Sequence, residues 1–343
     1  MTGCKENLGV GIIPNVPESD VPAVVDLIVE RVRSNSQPGN RRDPFKVGRL
    51  IEGGAMRGVW AGGAAIAAQA LGLDMAFDAE YSASSGSCSA IYAAARQTVL
   101  GATIYYEDLV TRFINPRRLL INRPVVDIRY LTHQVMMYRK VLDWQRVIAY
   151  PIPINVYATN ALTGQAVNMY PFNNRGAIYE AMLRSCSMPF WADMPSPENR
   201  FLTDGSIATT GIPFRQAVED NCTHVFAMLT RPEGVRKKRS FLDRIVSLAL
   251  WNAGFDQIAS AYWQAFNHYN EVVEHMVSLE GDFVNEQPRV KIVRPSWFES
   301  KIPSFCTDPR RLYRGALSGF HKMRQAFPAL PVDSNVQPSG LRL

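Results

Sequence analysis

The chain has 343 residues, 47% hydrophobic and 20% charged, enough to bury the core of one large α/β domain or two ordinary ones. No apolar run approaches the roughly 20 residues a membrane-spanning helix needs, and the N-terminal MTGCKENLGVGIIPN lacks the apolar core and cleavage site of a secretory leader. The net charge of +6 gathers in two runs, 31–50 and 231–239, while five cysteines, odd in number and widely spaced, show no CxxC or His/Cys cluster that would hold a metal. The expectation is a cytoplasmic chain with reduced thiols and with no cofactor or metal. No nucleic-acid module accompanies the basic runs, so nucleic acid is not an expected partner.

In chain order, VPAVVDLIVERVR (21–33) has the apolar spacing of an amphipathic helix, followed by a polar, Pro/Gly-bearing linker, SNSQPGNRRDP. VGRLIEGG then reads as a short buried strand ending in glycines, and VWAGGAAIAAQALGL as a helix of small residues. The same order recurs in FDAEYSASSG, a strand and tight turn, and SCSAIYAAARQTVL, an Ala-rich helix. PIPINVYATNALTGQAV predicts a strand at 152–158 with a turn at TNALTG, and AIYEAMLRSCSMP a helix stopped by Pro189. RFLTDGSI is a strand ending in an acidic turn, HVFAMLTRP a further buried strand, and 242–279 a long, strongly helical region. VKIVRPS supplies a late strand, DPRRLYRGALSGFHKMRQAF a last amphipathic helix, and the tail from Pro331 reads as loose. Strands alternating with helices predict an α/β domain with a largely parallel sheet.

In such a sheet, reactive groups collect where strands end and helices begin. Three stretches fall there: EGGAMRG (52–58), SASSG (82–86) and DGS (204–206). A nucleophilic serine at a strand-to-helix elbow needs small residues two positions to either side. Ser84, flanked by Ser82 and Gly86, fits better than Ser85 or Ser87, although serines also serve as plain helix caps. EGGAMRG lacks the Lys-Ser/Thr of a P-loop and the G-x-G-x-x-G of a dinucleotide fold. A glycine turn feeding a helix instead offers backbone N–H groups to a developing oxyanion, with Arg57 adding charge. Asp204, at a strand end before a glycine, is either a turn former or a carboxylate aimed at Ser84.

The ordered set GGxxRG, serine elbow and D-G-[GS] resembles the patatin-like phospholipases, in their bacterial predicted-esterase branch. ATNALTGQAV, RSCSMPFW and LTRPEGVRKK extend the likeness over about 47–295. The resemblance implies a three-layer α/β/α fold and lipid acyl-ester hydrolysis by a Ser–Asp dyad without histidine. Ser84 would be the nucleophile, Asp204 the base, and Gly53, Gly54, Ala55 and Arg57 the oxyanion hole. Ser82, Ala55 and Ser206 stand where the family has glycine. The implied organisation is an N-terminal helix and basic linker (1–46), a catalytic domain (47–295), and a C-terminal helix and tail packed on it (296–343). The implied partners are a lipid or acyl-ester substrate and, through the basic runs, the surface of an anionic membrane. Two alternatives stay open: a triad using a histidine after Asp204, and a patatin-like scaffold that binds lipid or a protein partner without hydrolysis.

Overall fold

A computed structural model describes residues 20–121, 123–281, 287–299 and 301–338. The leader reading at 1–15, with Cys4, lies outside the described residues. Among them, seven strands form one sheet: β1 (Val47–Ile51), β2 (Ala79–Ala83), β3 (Ile154–Asn160), β4 (Ala166–Asn168), β5 (Leu202–Asp204), β6 (His224–Met228) and β7 (Arg289–Val293). The order is β4-β3-β2-β1-β6-β7, with β5 also paired to β3. β3, β2, β1, β6 and β7 run parallel, while β4 and β5 run antiparallel to β3.

The helices are α1 (Val24–Arg33), α2 (Gly58–Ala70), α3 (Ser85–Ala94), α4 (Thr98–Thr103), α5 (Ile128–Tyr130), α6 (Trp144–Ala149), α7 (Arg175–Ser185), α8 (Phe214–Glu219), α9 (Phe241–Asn252), α10 (Asp256–Gly281) and α11 (Pro309–Ala326). Successive strand residues point to opposite faces of the sheet. Val47, Ile51, Phe226 and Met228 pack with α2, α3 and α11, whereas Leu50, Tyr81, Val225 and Ala227 pack with α8 and α10. The result is a three-layer α/β/α sandwich with the largely parallel sheet expected from the alternation of strands and helices. No helix among the described residues is long and apolar enough to cross a membrane.

α11 lies against α2 at backbone distance. A Cβ on Gly63 would meet the Ala316 carbonyl oxygen at 1.9 Å, and one on Gly319 would meet that of Trp60 at 2.0 Å. The tail beyond α11, read as loose, is tied at its start, where Asp333 N–H donates to the Ala70 carbonyl at 2.8 Å.

The strand expected at 152–158 runs Ile154–Asn160; three further differences from the sequence reading each have a local reason. The Ala-rich helix after the elbow is interrupted between α3 and α4, where Arg96 has φ 56°. The long helical region divides into α9 and α10 at Gly254, φ 81°. α7 ends at Ser185, ahead of Pro189, because the next carbonyls are needed elsewhere: Ser187 O accepts from Asp204 N–H at 3.0 Å and Thr203 Oγ1 at 2.6 Å.

Three arginines of the first basic run are turned inward or held on carboxylates, while Arg33 and Arg42 are exposed. Arg31, 2% exposed, donates to Asp43, Asp78 and the carbonyls of Phe45 and Ala76. Arg41 holds Asp78 at 2.7 Å, and fully buried Arg49 pairs with Glu80 across β1 and β2. These arginines pin α1 and the linker onto the sheet.

Candidate active site

Sheet register brings the site together. β2 pairs with β3 as far as Ala83↔Tyr157, after which the chain turns at Ser84 into α3. β4 occupies the other edge of β3, so β5 fills the edge that β2 vacates, antiparallel and paired Ala158↔Asp204. Ser84 and Asp204 therefore meet at the carboxyl end of the sheet, and Ser84 Oγ donates to Asp204 Oδ2 at 2.9 Å.

Ser84 has φ 55° and ψ −136°, a conformation that costs a non-glycine residue of order 1–3 kcal/mol. A tight strand-to-helix elbow that lifts its hydroxyl above the sheet has this character. The surroundings force it. Ser84 N–H donates to Ser185 Oγ at 2.9 Å, and Ser185 donates to the Tyr157 carbonyl at 2.7 Å. With the Ser185 proton so committed, Ser87 donates to Ser185 and Ser82 to Ser87, both at 3.2 Å. Ser82, where the resembled family has glycine, is thus fully buried and satisfied as the first member of a directed hydroxyl chain. On the opposite side Gly53 presses on the elbow: a Cβ there would sit 2.6 Å from the Ala83 carbonyl oxygen and 2.9 Å from Ser84 Cβ.

Asp204 is 2% exposed. Its Oδ1 accepts from Ser206 N–H at 2.8 Å and its own carbonyl accepts from Thr159 Oγ1 at 2.8 Å. Burial raises its pKa above the ordinary carboxylate range, against the opposing pull of hydrogen bonds from Ser206 and Ser84 and the charge of Lys237.

The glycine turn is partly committed. Gly53 N–H donates to the Gly211 carbonyl at 3.1 Å, and Gly54 N–H to Ser85 Oγ at 2.9 Å. Ala55, φ 53°, heads a 3₁₀ turn, Ala55–Arg57, and Ser85 heads α3, so neither N–H has an acceptor within its own element. Arg57 lies against Gly54 and donates to Ser304 Oγ, while Met56 N–H donates to the Ser304 carbonyl at 3.1 Å. Burial and the neighbouring Arg231 lower the Arg57 pKa.

Ser84, Ser85, Asp204 and residues 53–57 line a cavity of about 420 Å³, within the range of ligand pockets. Its apolar lining includes Ile104, Leu109, Phe113, Val126, Ile128 and Leu131. Its cationic lining is Arg57, Arg231, Lys237 and Lys238. Lys237 reaches over the rings of Phe266 and Tyr269, and its pKa falls to about 8, chiefly through burial and then through Arg231 and Arg57. Glu52 sits among these cations, its carboxylate accepting from the N–H groups of Thr230 and Arg231.

Sequence reasoning missed four contributors: Ser185, Ser85, Lys237 and the apolar wall at 104–131. Lys237 lay in a basic run read as membrane-facing, and the wall comes from π-helical and 3₁₀ turns without clean periodicity. Ser304 and Phe305, beyond the expected domain boundary at 295, also line the cavity. None of the five histidines lines it. His224 stands at the far end of its strand, its ring bonded to Thr223 Oγ1 and the Pro22 carbonyl, with burial driving its pKa down to about 4. Cys88 and Cys186 line the cavity as neutral thiols, Cys88 pushed up to about 12 by burial.

No family model matches the chain, and no curated protein matches it in sequence. Among solved structures, the chain is similar to VipD from Legionella pneumophila, at 11% identity and a TM-score of 0.41, over 83% of this chain and 67% of VipD.

Proposed function

We propose that the chain is a lipid acyl hydrolase of the patatin-like kind, acting through Ser84 and Asp204 by way of an acyl-enzyme. The observation that carries this reading is the 2.9 Å hydrogen bond from a serine on a strained elbow to a buried carboxylate, in a cavity lined by both apolar and cationic side chains. An acyl chain suits the apolar lining by hydrophobic burial. The cationic lining suits an anionic group on the alcohol side of the ester.

In the first half-reaction Asp204 takes the Ser84 proton as Oγ attacks the ester carbonyl. The oxyanion forms against the N–H groups of Ala55 and Ser85, with Gly54 bracing Ser85 and Arg57 holding the turn. Collapse breaks the ester C–O bond, and Asp204 returns the proton to the departing alcohol. Water then loses a proton to Asp204 and attacks the acyl-serine; the acyl–Oγ bond breaks, Asp204 returns the proton to Ser84 Oγ, and the carboxylic acid leaves. The raised pKa of Asp204 brings it nearer neutrality, where a carboxylate is a better general base. Because the ionised form is the base, the rate falls as pH drops through that raised pKa.

The test is a fluorophosphonate probe with mass spectrometry of products from a mixed lipid extract. Label is expected on Ser84, with fatty acid release that falls about 10⁴-fold or more in Ser84→Ala. Release that survives in Ser84→Ala moves the nucleophile elsewhere. Absence of both label and release in a folded wild-type chain leaves a lipid- or partner-binding scaffold.

A further inference from the structure

α9 is apolar on two opposite faces. Val246 and Leu250 point inward to a small satellite core with Ile258 and Tyr262 of α10. On the outside, Phe241, Ile245, Leu248 and Trp251 recur at helical spacing along one stripe, and Phe241, Leu248 and Trp251 are 75%, 64% and 60% exposed. A helix that needed only its core would carry polar residues there.

The surroundings of this stripe are cationic. Lys238 and Arg239 precede the helix and Arg244 stands on it, all exposed. The acidic residue within the helix, Asp243, is turned away, accepting from Tyr262 Oη at 2.7 Å and capping the helix with Ser240. Asp256, exposed at the start of α10, is the carboxylate at the far end. The N-terminal end of α9 also rims the candidate active site, since Lys238, Ser240 and Leu242 line the cavity.

We infer that α9 is a docking helix for an anionic lipid bilayer, sinking Phe241, Ile245, Leu248 and Trp251 among the acyl chains while Lys238, Arg239 and Arg244 meet the headgroup phosphates. An apolar stripe flanked by cations is the pattern of a helix that lies in a membrane interface. The charge selects an anionic surface over a neutral one. Continuity with the cavity rim selects a lipid surface over a second copy of the chain, because docking there would open the pocket directly onto its substrate. The choice of occupant rests on the acyl-hydrolase reading; the binding itself does not require hydrolysis.

The experiment uses the full chain carrying Ser84→Ala, so that vesicles stay intact, in co-sedimentation with phosphatidylcholine vesicles with and without phosphatidylserine. Binding is expected to the anionic vesicles, to weaken with salt, and to fall about ten-fold in Leu248→Glu and in Trp251→Glu. Lys238→Glu, which leaves the stripe intact, is expected to lower binding to anionic vesicles only. In the wild-type background, Leu248→Glu is expected to keep hydrolysis of a soluble short-chain ester, which also reports its folding. Absence of sedimentation at low salt, or sedimentation indifferent to both glutamates, overturns the inference. So does a dimer that the glutamates dissolve without changing vesicle binding. Soluble-ester hydrolysis without vesicle binding removes the docking helix and leaves the hydrolase, whereas vesicle binding without any hydrolysis does the reverse.

Discussion

The two basic runs of this chain are alike in composition and opposite in use. In the first, Arg31, Arg41 and Arg49 each face carboxylates: Asp43, Asp78 and Glu80. Asp43 shows the effect. Burial alone would raise its pKa, but the hydrogen bond and charge of Arg31 outweigh that and hold it below the ordinary value. In the second run the cations outnumber their partners. Burial and then Arg231 and Arg57 depress Lys237 against the pull of Glu52 and Asp204, and burial and Arg231 likewise depress Arg57, a cavity neighbour from outside the run. The Nε groups of Arg57 and Arg231 have no acceptor among the described residues. Cations matched one to one with carboxylates stabilise the fold. Cations left in excess around a cavity destabilise it slightly and wait for an anion.

The largest expected effect that tests this contrast is on stability. Arg31→Met strands Asp43 and part of Asp78 without their donor, and should lower unfolding stability by about 3–5 kcal/mol, the cost of removing one partner from a buried pair. Denaturant unfolding reads it, with hydrolysis per folded molecule unchanged. A loss below about 1 kcal/mol would mean that the first run, too, is a solvated surface.

Next in size is Lys237→Met. Removing an uncompensated cation should leave stability level or raise it, while KM for an ester with an anionic group on its alcohol side rises about ten-fold, the loss of one charge-assisted hydrogen bond. KM for a neutral ester should hold. Equal losses on both substrates would make Lys237 a structural residue and erase the contrast between the runs.

The smallest effect is on pH dependence. The folded pKa of Lys237 is depressed to about 8. Above that value the folded chain releases a proton that the unfolded chain still holds, so stability should rise with pH between about 8 and the ordinary lysine value. Over the same interval the cavity loses a positive charge, and KM for the anionic ester should climb. Both trends should vanish in Lys237→Met, as followed by melting temperature and initial rates.

Much of this architecture was legible because the signals are local. The glycine-ended strand at 47–54 and the small residues after it specify a strand, a tight turn and a closely packed helix without reference to the rest of the chain. The elbow at Ser84 and the acidic turn at Asp204 were legible for the same reason. What escaped depends on partners distant in sequence. Nothing in FLTDGS says that β5 runs antiparallel and takes the edge of β3 beyond Ala83, because strand direction is set by pairing and not by composition. Ser185 reads as the end of a helix and becomes a support of the elbow only once α7 has packed beside β3 and β5. Arg31 and Lys237 carry the same formal charge in sequence, and only the fold shows that one meets two aspartates and the other meets two arginines.

Because Ala83, directly before Ser84, and Asp204 pair with neighbouring residues of β3, Tyr157 and Ala158, the separation of serine and aspartate is set chiefly by the ladder. The residues that wall the cavity between Ile104 and Leu131, and Ser304 and Phe305, hang from other parts of the chain. Under the proposed acyl-hydrolase reading, reaction and selectivity would then be mechanically uncoupled: drift in the walls would retune which ester is admitted while the serine–aspartate hydrogen bond kept its geometry.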